Sequence, residues 1–178
     1  MEKVLPFLKS RTFALEFITV LLGSLMLTVS AYIAVPLPFT PVPITLQTLA
    51  VMLLAGTFGW KRAAGSVALY LCEGAMGLPV FSAATGGIAC LLGPKGGYIA
   101  GFLVEAAAIG WAADKGFLKG GLSRLLTLTA GTAIQLACGL AWLGLFVGYP
   151  NVVALGLVPF IFGELLKVGI AWTMLVRK

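Results

Sequence analysis

From Phe13 to Val35 the chain runs apolar with a single charge, Glu16, and five further stretches of similar character follow it. About 20 predominantly apolar residues make a helix long enough to cross a bilayer, and fewer serve where the helix packs inside protein. The six stretches lie at about 13–35, 45–59, 63–77, 97–113, 125–147 and 152–176. Only 10% of the residues are charged, against roughly a quarter in soluble domains. That is too few to cover a water-facing surface. The expected fold is therefore all-α: an integral membrane bundle of six transmembrane helices in one domain over residues 1–178. The short second and third stretches can also be read as one broken hairpin. The first apolar run is too long for a signal-peptide core and lacks a small-residue cleavage site, so it reads as a retained span.

The formal net charge is +6 and the pI about 9.5. The basic residues are scattered, with no stripe or aromatic pattern suited to nucleic acid. Membrane topology accounts for them better. With the N-terminus inside, cytoplasmic segments hold Lys3, Lys9, Arg11, Lys61, Arg62, Lys115, Lys119, Arg124, Arg177 and Lys178, and the outer loops hold only Lys95. This positive-inside bias supports an even number of spans and places both termini in the cytoplasm. The absence of histidine removes the commonest metal ligand and general base. Cys72, Cys90 and Cys138 show no CxxC spacing and read as small apolar fillers. With no Gly-x-Ser-x-Gly and no metal-ligand cluster, neither an enzyme nor a metal or cofactor site is expected.

Two outer connectors are unusual. "PLPFTPVPITLQTL" puts Pro36, Pro38, Pro41 and Pro43 just before Thr45 and Gln47. The prolines hold the segment extended and cut its entropy, while Thr40, Thr45 and Gln47 offer hydrogen-bonding groups. It reads either as a lid over a small solute or as a rigid connector. The second, "ATGGIACLLGPKGGYIAG", has glycines, Gly87 among them, that allow close approach of a ligand or of helices. Its Ile88 to Leu92 segment is a candidate re-entrant turn. Two specialised loops on one side suggest a binding face, with Thr45, Gln47, Gly87, Lys95 and Tyr98 as candidate substrate-binding residues.

Charges at bilayer depth are costly, and they are usually functional or paired. Glu164 and Lys167, three apart in "PFIFGELLKVGIAW", share a helix face. They form either a salt bridge locking the sixth helix or a polar clamp for a ligand with donors and acceptors. Pro159 and Gly163 before them allow close approach. Glu16 near the cytoplasmic end reads as snorkelling, while Glu73 and Glu105 either meet donors across helices or carry protons. Small residues recur four apart at Gly97 and Gly101, Ala106 and Gly110, and Ala133 and Ala137, a weak signal for tight helix contacts.

"PLPFTPVPITLQTLAVMLLAG", "YLCEGAMGLPVF", "GGIACLLGPKGGYIAGF" and "PFIFGELLK", in that order, resemble the BioY family of biotin transporters. These are the substrate-binding, or S, components of energy-coupling-factor (ECF) transporters. The resemblance covers roughly residues 16–170. It implies a six-helix protein of the bacterial cytoplasmic membrane, with the lipid bilayer around it, that binds biotin near its outer face. Its implied partners are a transmembrane coupling subunit and a pair of ATPases, and it implies no catalysis by this chain. The family's Gly-Asp-x-x-Lys reads Gly163-Glu164-x-x-Lys167 here, one methylene longer. Lys95 stands where threonine is usual in Gly-Pro-Thr-Gly-Gly, and reads either as a partner for the carboxylate of biotin's valerate tail or as a solvated lysine. The Ala-xxx-Ala face common on the first helix is replaced by Gly23, Ser24, Thr28 and Ala31. The other reading of function is a self-sufficient vitamin carrier, facilitative or coupled to protons through Glu73, Glu105 or Glu164.

Overall fold

A computed structural model of the chain describes the backbone of residues 4–176 and the side chains of residues 14–176. Lys3, Arg177 and Lys178, and the side chains of Lys9 and Arg11, named above for their charge, lie outside the described residues.

Helix α1 (Val4–Tyr32) ends before the apolar run does. The chain turns instead into a short hairpin, β1 (Ala34–Val35) pairing antiparallel with β2 (Ile44–Thr45), with Ala34 opposite Thr45. All four prolines fall between or beside the two strands, where no ladder hydrogen bond is lost to them. The proline segment is thus the loop of a hairpin.

Helix α2 (Gln47–Ala75) is two helical segments meeting end to end at Gly59, which has the non-helical angles φ 76° and ψ 177°. That break reverses the chain. Gln47 Nε2 lies 2.7 Å from the Tyr70 hydroxyl, whereas a straight helix would hold these residues about 35 Å apart. Residues 47–58 and 60–75 are two antiparallel half-helices, corresponding to the expected second and third stretches. Only glycine suits the turn: its backbone is left-handed, and a Cβ there would sit 2.2 Å from Asp114 Oδ1. Asp114 Oδ2 in turn accepts the Trp60 N–H at 3.2 Å, closing the start of the second half.

A 3₁₀ turn (Ser82–Ala84) and the short helix α3 (Ile88–Leu92) form the Gly-rich connector. Then come α4 (Gly96–Asp114), α5 (Gly121–Val147), α6 (Tyr149–Gly156) and α7 (Val158–Met174). The sixth stretch, expected at 152–176, is therefore two helices, bent by 41°. Pro159 in the first turn of α7 explains the break: it has no N–H to continue the ladder, and it disfavours helical geometry before it.

Among the described residues, Ala14–Tyr32 of α1, α4 and α5 are each long and apolar enough to cross a membrane, and the bent pair α6–α7 adds a fourth candidate. The half-helices of α2 are shorter. They lie in the interior, where Val51, Met52, Ala55, Val67 and Tyr70 are fully buried against Ile109 of α4 and Leu128 of α5. A second cluster joins Val42 of the proline loop to Tyr98, Leu143, Val152 and Phe160. The outward faces carry Leu22, Leu25, Leu126, Phe162 and Leu165, all well exposed, as hydrocarbon surroundings require. Of the small-residue pairs, Gly97 and Gly101 lie on the α4–α5 seam and Gly110 meets the Trp60 backbone. Ala133 and Ala137 are exposed and mark no seam.

Candidate functional site

At the proline-loop end, α2, α4, α5 and α7 converge beneath Val42 and Pro43 on a cleft. Its empty volume is about 440 Å³ counted to the open mouth. Its walls mix aromatic side chains (Tyr98, Phe102, Phe160) with a few polar groups, the usual composition of a small-molecule site.

The polar floor is built from two helices and the end of β2. On α7, Glu164 and Lys167 are 6% and 4% exposed and hydrogen-bonded to one another. The end of β2 and the first turn of α2 complete the cluster. Lys167 Nζ donates to the Thr45 carbonyl at 2.8 Å and the Thr48 hydroxyl at 2.7 Å, and that hydroxyl donates to Glu164 Oε1 at 3.2 Å. An ammonium has three donors, and Lys167 uses all three. Glu164 is less complete, because its Oε2 is buried with no hydrogen-bond partner. The geometry holds both earlier possibilities together: a salt bridge ties α7 to α2, and one carboxylate oxygen is left over.

Six of the seven candidate residues line this cleft: Thr45, Gln47, Lys95, Tyr98, Glu164 and Lys167. The seventh, Gly87, does not. Its φ of 91° and its N–H to the Gly74 carbonyl (2.6 Å) make it a turn at the head of α3. Gln47 is held at both ends, donating to the Tyr70 hydroxyl and accepting from Thr45 Oγ1 at 3.2 Å. Lys95 reaches Thr85 Oγ1 at 2.9 Å and the Ser82 hydroxyl and carbonyl at 3.3 Å, all neutral acceptors. The Tyr98 hydroxyl donates to the Gly156 carbonyl at 2.8 Å, fixing its ring beside Phe160.

Thr48, Gln135 and Ser82 also line the cleft but were not anticipated. Gln135 had a readable signal, since a primary amide within an apolar span is costly unless paired. Thr48 had one too, standing three residues after Thr45. The other acids lie elsewhere. Glu73 accepts from Ser24 across α1 and α2, and Glu16 approaches Arg62 at 3.7 Å. Glu105, wholly buried below the cleft, meets Thr132 Oγ1 at 3.5 Å.

The BioY family model matches residues 3–178. The biotin transporter BioY of Thermotoga maritima is 38% identical over 153 residues, covering 85% of this chain and 88% of that protein. A second biotin transporter, from Lactococcus lactis subsp. cremoris, is 36% identical over 148 residues, covering 82% and 80%. Among solved structures, the S-component for biotin from an ECF-type ABC transporter superposes with a TM-score of 0.83 at 25% identity, covering 93% of this chain and 90% of that one. These relatives are named as transporters rather than enzymes, and this chain has three or four helices long and apolar enough to cross a membrane among its described residues. Matched by the family model over nearly its whole length, and by transporters across most of theirs, the chain belongs to the BioY family.

Proposed function

We propose that this chain is the substrate-binding subunit of an ECF transporter, capturing biotin in the cleft from the outer side of the membrane. The observation that carries the reading is the unpartnered, buried Glu164 Oε2 in a cleft otherwise lined by aromatic and apolar groups. Biotin's ureido ring offers two N–H donors, and its thioether ring is apolar. Glu164 Oε2 accepts one N–H, and Tyr98, Phe102 and Phe160 cover the apolar ring. Lys167, its donors already committed, acts through Glu164: it pairs with the carboxylate and fixes its direction. A hydrogen bond to such a charged group is worth roughly 1.5–3 kcal/mol. At the mouth, the Lys95 ammonium has only neutral partners, which leaves its charge for the valerate carboxylate.

Six membrane crossings follow if each half of α2 counts as one and α6–α7 together as another. The basic groups Lys61, Arg62, Lys115, Lys119 and Arg124 gather at the end opposite the cleft, which supports a cleft facing outward and both termini in the cytoplasm of a bacterium. The energising partners in this reading are a transmembrane coupling subunit and a pair of ATPases, as the likeness to an ECF S-component suggests.

The test is equilibrium binding of labelled biotin to the purified chain in detergent, with dethiobiotin and lipoate as competitors. Saturable binding displaced by dethiobiotin, which keeps the ureido ring, and not by lipoate supports the reading. Absence of saturable binding to folded protein overturns it. Uptake that depends on co-expressed ATPases distinguishes a subunit from a self-sufficient carrier, whose uptake would proceed alone and collapse with a protonophore if proton-coupled.

A further inference from the structure

Gln135 of α5 is 2% exposed and lines the same cleft as Glu164. Its amide nitrogen donates to the Tyr98 backbone carbonyl of α4 at 3.2 Å, while its Oε1 is buried with no hydrogen-bond partner. The orientation of the amide follows from chemistry. Reversing it would set Oε1 against the Tyr98 carbonyl, acceptor facing acceptor, so the N–H₂ must face Tyr98 and the oxygen must face away.

The backbone carrying this amide is held firmly. At Gly101 helix α4 comes so close to α5 that a Cβ would stand 2.9 Å from the Gln135 carbonyl. A residue needed only to tie α5 to α4 would use a donor alone; burying an amide oxygen without a partner is costly. Gln47, the other glutamine of the cleft, provides the contrast, since both ends of its amide have partners.

We propose that Gln135 is a specificity-determining residue, its Oε1 accepting the second N–H of a cyclic urea whose first N–H is taken by Glu164. The inference rests on the biotin reading above and deepens it. Among the described residues, the cleft has two buried side-chain oxygens without partners, Glu164 Oε2 and Gln135 Oε1. A ligand that satisfies both must bring two donors. A ring amide or lactone of the same shape brings at most one and leaves an acceptor buried and unpaired, the situation in which discrimination by hydrogen bonding is strongest.

The experiment uses the full chain and four probes: biotin, its methyl ester, and the two biotins methylated singly on one or the other ureido nitrogen. In the unaltered protein both N-methyl biotins bind roughly ten- to a hundredfold more weakly than biotin, each blocking one acceptor. Gln135→Met, which keeps side-chain length, weakens biotin and its methyl ester alike by roughly tenfold or more. In that variant only one of the two N-methyl biotins still binds more weakly than biotin, because only Glu164 remains to be blocked.

Unchanged biotin affinity in Gln135→Met, or equal penalties for both N-methyl biotins in that variant, overturns the assignment while leaving the biotin reading intact. So does tolerance of methylation at either nitrogen by the unaltered protein, a comparison that needs no variant to fold. If the unaltered protein fails to bind biotin at all, both readings fall together.

Discussion

Arg124 and Lys167 are both 4% exposed, one at each end of the bundle, and each is ringed by acceptors. Arg124 donates to the backbone carbonyls of Leu118 (2.9 Å), Lys119 (3.5 Å) and Trp172 (3.0 Å). It pins the α4–α5 turn and the end of α7, and it involves no acid. Lys167 gathers a carboxylate, a hydroxyl and a carbonyl, and the carboxylate keeps one oxygen over. The difference teaches that neither burial nor charge marks the binding end. What marks it is hydrogen-bonding capacity left unspent on the walls of a cleft; a third such oxygen, Glu105 Oε2, is buried outside that cleft.

Breaking the cleft cluster is expected to have the largest effect. Glu164→Gln should weaken biotin binding by the folded fraction roughly ten- to a hundredfold, and should also lower ligand-free melting, because it leaves the Lys167 ammonium buried without its counter-charge. Lys167→Met should lose similar affinity and also melt earlier, because it strands a buried carboxylate, at a cost of about 3–5 kcal/mol. Calorimetric binding and ligand-free melting, measured on both variants, decide this. Should both melt early while their folded fraction binds like the unaltered protein, the pair is purely structural and the comparison collapses.

The opposite end should respond the other way. Arg124→Met removes three hydrogen bonds from a charged donor, so unfolding should become easier by about 3 kcal/mol, with the biotin affinity of the folded fraction unchanged. A parallel loss of affinity in that variant would show the ends to be coupled rather than distinct.

The smallest effect sharpens the comparison at the cleft mouth. Lys95 lines the cleft, yet it is only half-buried. Lys95→Thr should cost biotin about 0.2–1 kcal/mol, the range for exposed pairs, and should leave biotin methyl ester nearly untouched. Equal losses for the two ligands would remove Lys95 from carboxylate recognition.

Much of this architecture was legible because hydropathy and helix length obey the same constraint. The apolar runs located α1, α4 and α5, and the glycine at 59 stopped one run where the chain does reverse. The break at Leu157 was missed although Pro159 announced it, since the apolar run passes through the proline without a change in hydropathy. At the site, charge was the readable signal. Glu164, Lys167 and Lys95 stood out against apolar neighbours and proved to share a cleft. Gln135 and Thr48 did not stand out, because an amide or hydroxyl scarcely alters the hydropathy of a helix. Their importance depends on which helix face meets which neighbour. Gly87 shows the converse: a glycine-rich loop pointed to ligand approach, and the fold spends that glycine on a left-handed turn.

The reversal at Gly59 also sets a length. The half-helix 47–58 has room for only about 18 Å of rise, well short of the roughly 30 Å of hydrocarbon that its longer neighbours cross. Its far end is fixed against Asp114 and Gly110, so the shortfall accumulates at Gln47 and Thr48, which are the cleft's floor. The cleft is, in effect, the missing turns of a helix. Depth in such a bundle can therefore be altered by moving one reversal point along the chain, about 1.5 Å per residue, while the polar groups keep their places relative to each other.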